Sequence, residues 1–151
     1  MMSFTRSAAA RAAAVVMGLS VLAIASPASA AAYDGTDPNS TGCATGAITA
    51  RKAFDSIDAV DLIEVDLRYS PRCKTAWARI TLLGLGPCPS GAPCGYATAH
   101  RNSDGRQYSC SIPAGAHGCY SPQVNDNGVT SYATGFANTG GLSASATTSS
   151  Y

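Results

Sequence analysis

Two histidines, one tryptophan and six cysteines each have a chemistry that can be tested against their spacing. His100 and His117 are the histidines. The frames Gly-x-Ser-x-Gly, His-Glu-x-x-His, Ser-x-x-Lys and Cys-x-x-Cys are all absent, so no nucleophile is paired with a base at a recognised distance. Serines are so abundant that a Ser-His-Asp match carries no weight. His100 falls on an expected hairpin strand and His117 in a glycine-rich turn beside Cys119; both read as solvated or structural. Asp58, Asp61 and Glu64 could serve a paired-carboxylate hydrolase. They crowd one short segment, and a solvated acidic face explains them more simply. No catalytic residue is assigned, and the balance leans against an enzyme.

Arg68, Trp77 and Arg79 are the candidate binding residues. On adjacent antiparallel strands Arg68 would lie across from Trp77 or Arg79, and a cation over an indole contributes ~0.5–2 kcal/mol. Such a surface would suit a glycan or a peptide carboxylate. The competing structural reading buries Trp77, as is usual for tryptophan, and pairs Arg68 with Asp66, Glu64 or Asp37. Asp34 and Asp37, with Asn39, could bind calcium. They lack the D-x-[DN]-x-[DN]-G order and the distal glutamate of a calcium loop, so local turn capping is preferred. No metal site and no cofactor is expected.

The cysteines are Cys43, Cys73, Cys88, Cys94, Cys110 and Cys119. A zinc site from the last four with His117 would lack the tight cysteine pairs of structural zinc. An even count in an exported chain favours disulfides. Spacing favours Cys43–Cys73, Cys88–Cys94 and Cys110–Cys119 among the many connectivities open to six cysteines. Closing the first loop would contribute roughly 3–4 kcal/mol and each of the others roughly 2–3 kcal/mol.

Export is read from residues 1–30. Arg6 and Arg11 precede an apolar run, Ala12 to Ala25, then Pro27 and the small residues Ala28-Ser29-Ala30. That is the order of a signal peptide, with cleavage expected after Ala30 or at the next two alanines. The run falls short of the ~20 apolar residues of a membrane span, and nothing later approaches it. The arginines are not adjacent, which disfavours the twin-arginine route. The signal carries two of the ten basic residues and none of the nine acidic ones, so the mature chain is slightly acidic. A near-neutral chain has no electrostatic drive toward nucleic acid or anionic membranes.

The elements that must position these residues are strands. Glu64 to Tyr69 alternates apolar and charged residues, and Lys74 to Leu83 resumes an extended pattern after Ser70-Pro71-Arg72-Cys73, which predicts a hairpin. Ala47 to Phe54 reads as strand or short helix. The acids at every third position from Asp55 to Asp61 suggest a helical turn or polar connection. Gly84 to Gly95 is a Gly/Pro loop. Tyr96 to Arg101 and Arg106 to Ile112 flank Asn102-Ser-Asp-Gly105, a hairpin signal. Val129 to Ala137 reads as a last strand. The expectation is an all-β, disulfide-stabilised sandwich or barrel of five to seven strands over residues 31–137, with a disordered tail at 138–151.

Tyr33-Asp-Gly-Thr-Asp-Pro38, Thr41-Gly-Cys43 and Val65-Asp-Leu-Arg-Tyr-Ser-Pro-Arg-Cys73-Lys-Thr-Ala-Trp-Ala-Arg-Ile80 together resemble an exported bacterial family, domain of unknown function 2690. That family shows a DG-x-DP…GC opening and an LRYS…C…AWAR core. The resemblance implies a secreted protein of a Gram-positive bacterium, an actinomycete above all, and it implies no activity. Members commonly carry a cysteine-containing stretch before DG-x-DP where this chain has alanines, and Cys88, Cys94, Cys110 and Cys119 stand outside the core pattern.

The expected function is a non-enzymatic extracellular module that binds a protein partner or a cell-envelope glycan, or acts as an inhibitor. A small secreted hydrolase of cell-wall or peptide substrates is the alternative. A toxin would lack the basic amphipathic segment suited to membrane attack.

Overall fold

The computed structural model describes residues 32–151; the export signal read at residues 1–30 lies outside them. The alternating segments form nine strands: β1 (Ile48–Ile57), β2 (Val60–Ser70), β3 (Thr75–Leu82), β4 (Gly95–Arg101), β5 (Gln107–Ser111), β6 (Gly118–Tyr120), β7 (Val124–Asn125), β8 (Ser131–Thr139) and β9 (Leu142–Thr147). No helix among the described residues is long and apolar enough to cross a membrane.

The strands build two separate antiparallel sheets, a sandwich rather than a barrel. One runs β1-β2-β3-β6, with β7 also on β3; the other runs β5-β4-β8-β9. β6 and β7 share one side of β3, interrupted at Ser121. There the Ser121 N–H donates to Ala78 O, and Ser121 Oγ accepts from Ala78 N. A hydroxyl thus replaces a missing backbone acceptor.

The inner faces divide the core unequally. Ile63, Val65 and Leu67 on β2 and Ile80 and Leu82 on β3 supply the bulk. The other sheet answers with Ala97, Ala99, Ala133, Ala137 and Ala144. Large side chains from one layer therefore fill the space left by small ones in the other. Gly135 marks the closest approach: a Cβ there would lie 2.5 Å from Val65 Cγ2.

Three disulfides hold the margins, in the pairing that spacing favours. Cys43–Cys73 ties the N-terminal turns to the β2–β3 connection, Cys88–Cys94 closes the Gly/Pro loop, and Cys110–Cys119 joins β5 of one sheet to β6 of the other.

Two local expectations are corrected. The run from Asp55 to Asp61 is neither a helical turn nor a simple connection. It is the tip of a β1–β2 hairpin that turns at Asp58 (φ 52°) and Ala59 (φ 64°), with Ile57 opposite Val60. Cross-strand pairing along ten residues of β1 outweighs the threefold acid spacing. Residues 138–151, read as a disordered tail, contain the end of β8 and all of β9. Gly140 and Gly141, both at positive φ, make the two-residue turn between them. Ala144 and Ala146 then pack inward, and Tyr151 exchanges two backbone hydrogen bonds with Ser131. Low hydrophobicity concealed the strand because its inner side chains are only alanines.

Candidate functional site

Arg68 and Trp77 are directly opposite on β2 and β3, and Asp66 is opposite Arg79. All four project from the outer side of the five-stranded sheet. Residues 33–47 fold over much of this side. Arg68 donates to Ala47 O and Thr49 Oγ1, and Trp77 is 4% exposed without belonging to the central core cluster. Gln123, fully buried, bonds Thr75 Oγ1 below and Thr36 and Thr41 Oγ1 above. The DG-x-DP residues act in the same seam. Asp34 accepts from Arg101 Nη1 and from the Asn125 N–H, while Asp37 caps the following turn through the Asn39 and Ser40 N–H groups. Those bonds and the Tyr120 hydroxyl hold the Asp37 carboxyl below its usual range. The two carboxylates have separate partners and do not converge on a shared point.

Arg79 is the member of the expected trio that remains half open. It pairs with Asp66, whose side chain is buried, and reaches Glu64, which Lys52 also contacts at 2.9 Å. Beside it lies a shallow cleft of about 270 Å³ lined by Thr81, His117 and Tyr120. Thus the structure brings Arg68 and Trp77 together as packed elements, and Arg79 joins an ionic row next to His117. Among the described residues no group of three or more His, Cys, Asp or Glu side chains is arranged to hold a metal ion.

His100 lies on the opposite side of the molecule, on the outer face of the four-stranded sheet. Its ring stacks on Tyr132 at 4.5 Å with an interplanar angle of 6°, and Nε2 shares a hydrogen bond with Thr134 Oγ1. Burial pushes its pKa down, opposed by a hydrogen bond with Gln107. The imidazole is therefore neutral at neutral pH. Among the described residues neither histidine has a carboxylate hydrogen-bond partner.

The face around His100 has a regular composition. Register places Tyr96 between Ser111 and Phe136, and Phe136 beside Ser145. The next row outward-facing along the strands is Ser109, Thr98, Thr134 and Thr147; the third is Gln107, His100 and Tyr132. Tyr96 and Phe136 are 5.7 Å apart and Tyr96 is 47% exposed. Thr98 Oγ1 bonds Ser109 Oγ, and Asn138 Nδ2 donates to Ser143 Oγ. Across β4, β5, β8 and β9 the charged residue is Arg101 alone, and its guanidinium is buried against Asp34 and Asp104. A depression of about 470 Å³ opens at one end, between Pro93, Tyr96, Ser111, Phe136 and Asn138.

Alternation marks Tyr96, Tyr132 and Phe136 as strand residues and gives them no binding role. Their signal is present nonetheless: aromatics and hydroxyls alternate with alanine and glycine through Tyr96–His100 and Tyr132–Phe136, without an acidic or basic residue.

These features define a disulfide-stapled two-sheet β-sandwich with one charged, partly covered face and one open, uncharged face. The chain belongs to the family described as "Protein of unknown function (DUF2690)", which it matches over residues 31–134. It is also 36% identical to the "Uncharacterized protein YjfA" of Bacillus subtilis (strain 168), over 91% of this chain and 92% of that protein. No solved structure matches it.

Proposed function

We propose that the protein is exported and acts outside the cell as a non-enzymatic binding module, engaging an extracellular protein or an envelope glycan through its uncovered sheet face. The observation that carries this reading is the open face of the four-stranded sheet, where aromatic side chains stand among hydroxyls on a rigid, disulfide-framed scaffold. Binding sites are predominantly aromatic and apolar, with a few oriented polar groups. The signal-peptide pattern at residues 1–30 and the pairing of every cysteine support an oxidising destination.

Intact mass spectrometry of protein from culture medium tests export; the expected product begins at Ala31 with six oxidised cysteines. Co-sedimentation with isolated cell envelopes, and capture from concentrated medium, test binding. A protein retained inside cells, or one that neither fraction retains, would refute the proposal. Clearing of peptidoglycan or casein gels, abolished by His100→Ala or His117→Ala, would replace it with the hydrolase reading.

A further inference from the structure

We infer that the outer face of the four-stranded sheet is a binding surface for a neutral polysaccharide, an inference that rests on the binding-module reading and names its ligand class. Three independent features of the face converge on this chemistry.

Charge is the first. The outer side of the other sheet carries Lys52, Glu64, Asp66, Arg68 and Arg79. Among the described residues no acidic side chain, lysine or arginine points outward from the four strands; Asp55 of β1 reaches only the β9 edge, where it accepts from the Ser145 N–H, and burial lowers the pKa of His100. An anionic polymer such as a teichoic acid or nucleic acid would find no counter-charge there. The complementary partner is uncharged.

Side-chain chemistry is the second. An apolar protein partner would be met by Leu, Ile, Val or Met, and none of these points outward from β4, β5 or β8. The face offers instead aromatic carbon and short alcohols. A pyranose ring has the matching surface: apolar C–H patches that pack on aromatic carbon, and equatorial hydroxyls that exchange hydrogen bonds with Ser, Thr and Asn. Tyrosine supplies such contact at low conformational cost.

Layout is the third. Tyr96 and Phe136 form one aromatic row, His100 and Tyr132 another. They are four residues apart along β4 and β8, which is ~13 Å at strand rise. The Thr98–Thr134 row lies between as a hydroxyl floor. That span suits several consecutive sugar units rather than a monosaccharide. The depression beside Tyr96 and Phe136 extends the track at one end. Backbone pairing on both sides of β4 and β8 holds the rows rigid, so little ordering accompanies binding.

The test is native affinity electrophoresis of the mature, disulfide-bonded protein. Gels contain hydroxyethylcellulose, xylan, mannan, dextran or glycol chitin, with wall teichoic acid and polyglutamate as anionic arms. The expected result is retardation by at least one neutral polymer that persists in about 1 M salt, since no ion pairs are involved. Tyr96→Ala and Phe136→Ala should each weaken retention roughly tenfold, while Arg72→Ala on the opposite-sheet turn leaves it unchanged. Tyr96 is half exposed, so its variant should keep the parent's far-ultraviolet circular dichroism spectrum, which reports the strands rather than the deleted ring. Ser111→Glu, at an exposed position, places a charge on the face without opening the core and should also reduce retention.

Three results would overturn the inference: no retardation by any neutral polymer, retardation unaffected by the face variants, or retention on anionic polymers alone that salt abolishes. If the protein then still sediments with envelopes or captures an extracellular protein, the binding-module reading stands and the glycan assignment alone falls. Failure of every binding assay removes both.

Discussion

Arg101 Nη1 donates to both carboxylate oxygens of Asp34, at 2.9 and 3.0 Å, across 67 positions of sequence. Both side chains are almost fully buried. The same guanidinium binds Asp104 and Asn125 O, so it joins the N-terminal turns, the β4–β5 hairpin and β7. The carboxylates on either side raise the pKa of Arg101 further above its already high ordinary value.

Breaking this pair from one side leaves a buried charge with only its more exposed partner, Asp104 for Arg101 or Arg106 for Asp34. Asp34→Ala and Arg101→Ala should each destabilise by about 3–5 kcal/mol. Urea denaturation of the oxidised protein measures it. The Asp34→Ala/Arg101→Ala double variant should lose less than the two single losses added together, because neither charge is then left alone.

Gly135 predicts the tightness of the sheet interface. Its hypothetical Cβ meets Val65 Cγ2 at 2.5 Å and Ile80 Cδ1 at 3.1 Å. Gly135→Ala should therefore destabilise by about 1–3 kcal/mol through overpacking. Adding Val65→Ala should restore part of that loss if the clash is its cause. Thermal unfolding of the single and double variants distinguishes the two.

Asp126 predicts the pH dependence. It is 5% exposed and accepts from Ser131 Oγ, and burial raises its pKa from 3.8 to about 6. The folded state thus holds this proton more tightly than the unfolded chain. Stability from this group declines as pH rises from about 4 through about 6, by on the order of 3 kcal/mol. Asp37 and Asp104 have lowered pKa values and act in the opposite sense, losing their contribution as the solution becomes more acidic than pH 4. His100, whose pKa burial lowers, acts against Asp126 between pH 7.5 and pH 4.5, so the comparison is made with Asp126→Asn: the parent should lose more stability than the variant from about pH 4.5 to about pH 7.5, read from unfolding midpoints.

The disulfides predict an order of losses. Cys43–Cys73 spans 30 positions, against 9 for Cys110–Cys119 and 6 for Cys88–Cys94. Replacing each pair by serine should cost roughly 3–4 kcal/mol for the first and roughly 2–3 kcal/mol for the others. Cys43–Cys73 also anchors the turns above Trp77, so its removal should raise tryptophan quenching by acrylamide. Loss of Cys88–Cys94 should leave that signal unchanged.

What could be read in advance was whatever depends on neighbours in sequence. Alternation from Glu64 to Tyr69 and the turn at Ser70–Cys73 specified the β2–β3 hairpin, because side chains two apart share a face of a strand. The Asn102–Gly105 turn specified the β4–β5 hairpin in the same way. Cysteine spacing favoured Cys88–Cys94 and Cys110–Cys119 because short loops close at the least entropic cost.

The tertiary structure alone decided which faces are covered. Trp77 and Tyr96 both lie on outward faces, yet Trp77 is nearly inaccessible and Tyr96 is half exposed. The difference arises because residues 33–47 return over one sheet, fastened by Asp34, Gln123 and Cys43, while nothing among the described residues returns over the other. Alternation separates two sides of a strand but cannot say which side later chain will cover, since that depends on contacts between residues tens of positions apart. The aromatic-cationic trio expected from sequence, Arg68, Trp77 and Arg79, therefore lies largely in the covered seam. The uncharged row of Tyr96, Phe136 and Tyr132 became recognisable only when β4 and β8 were placed side by side.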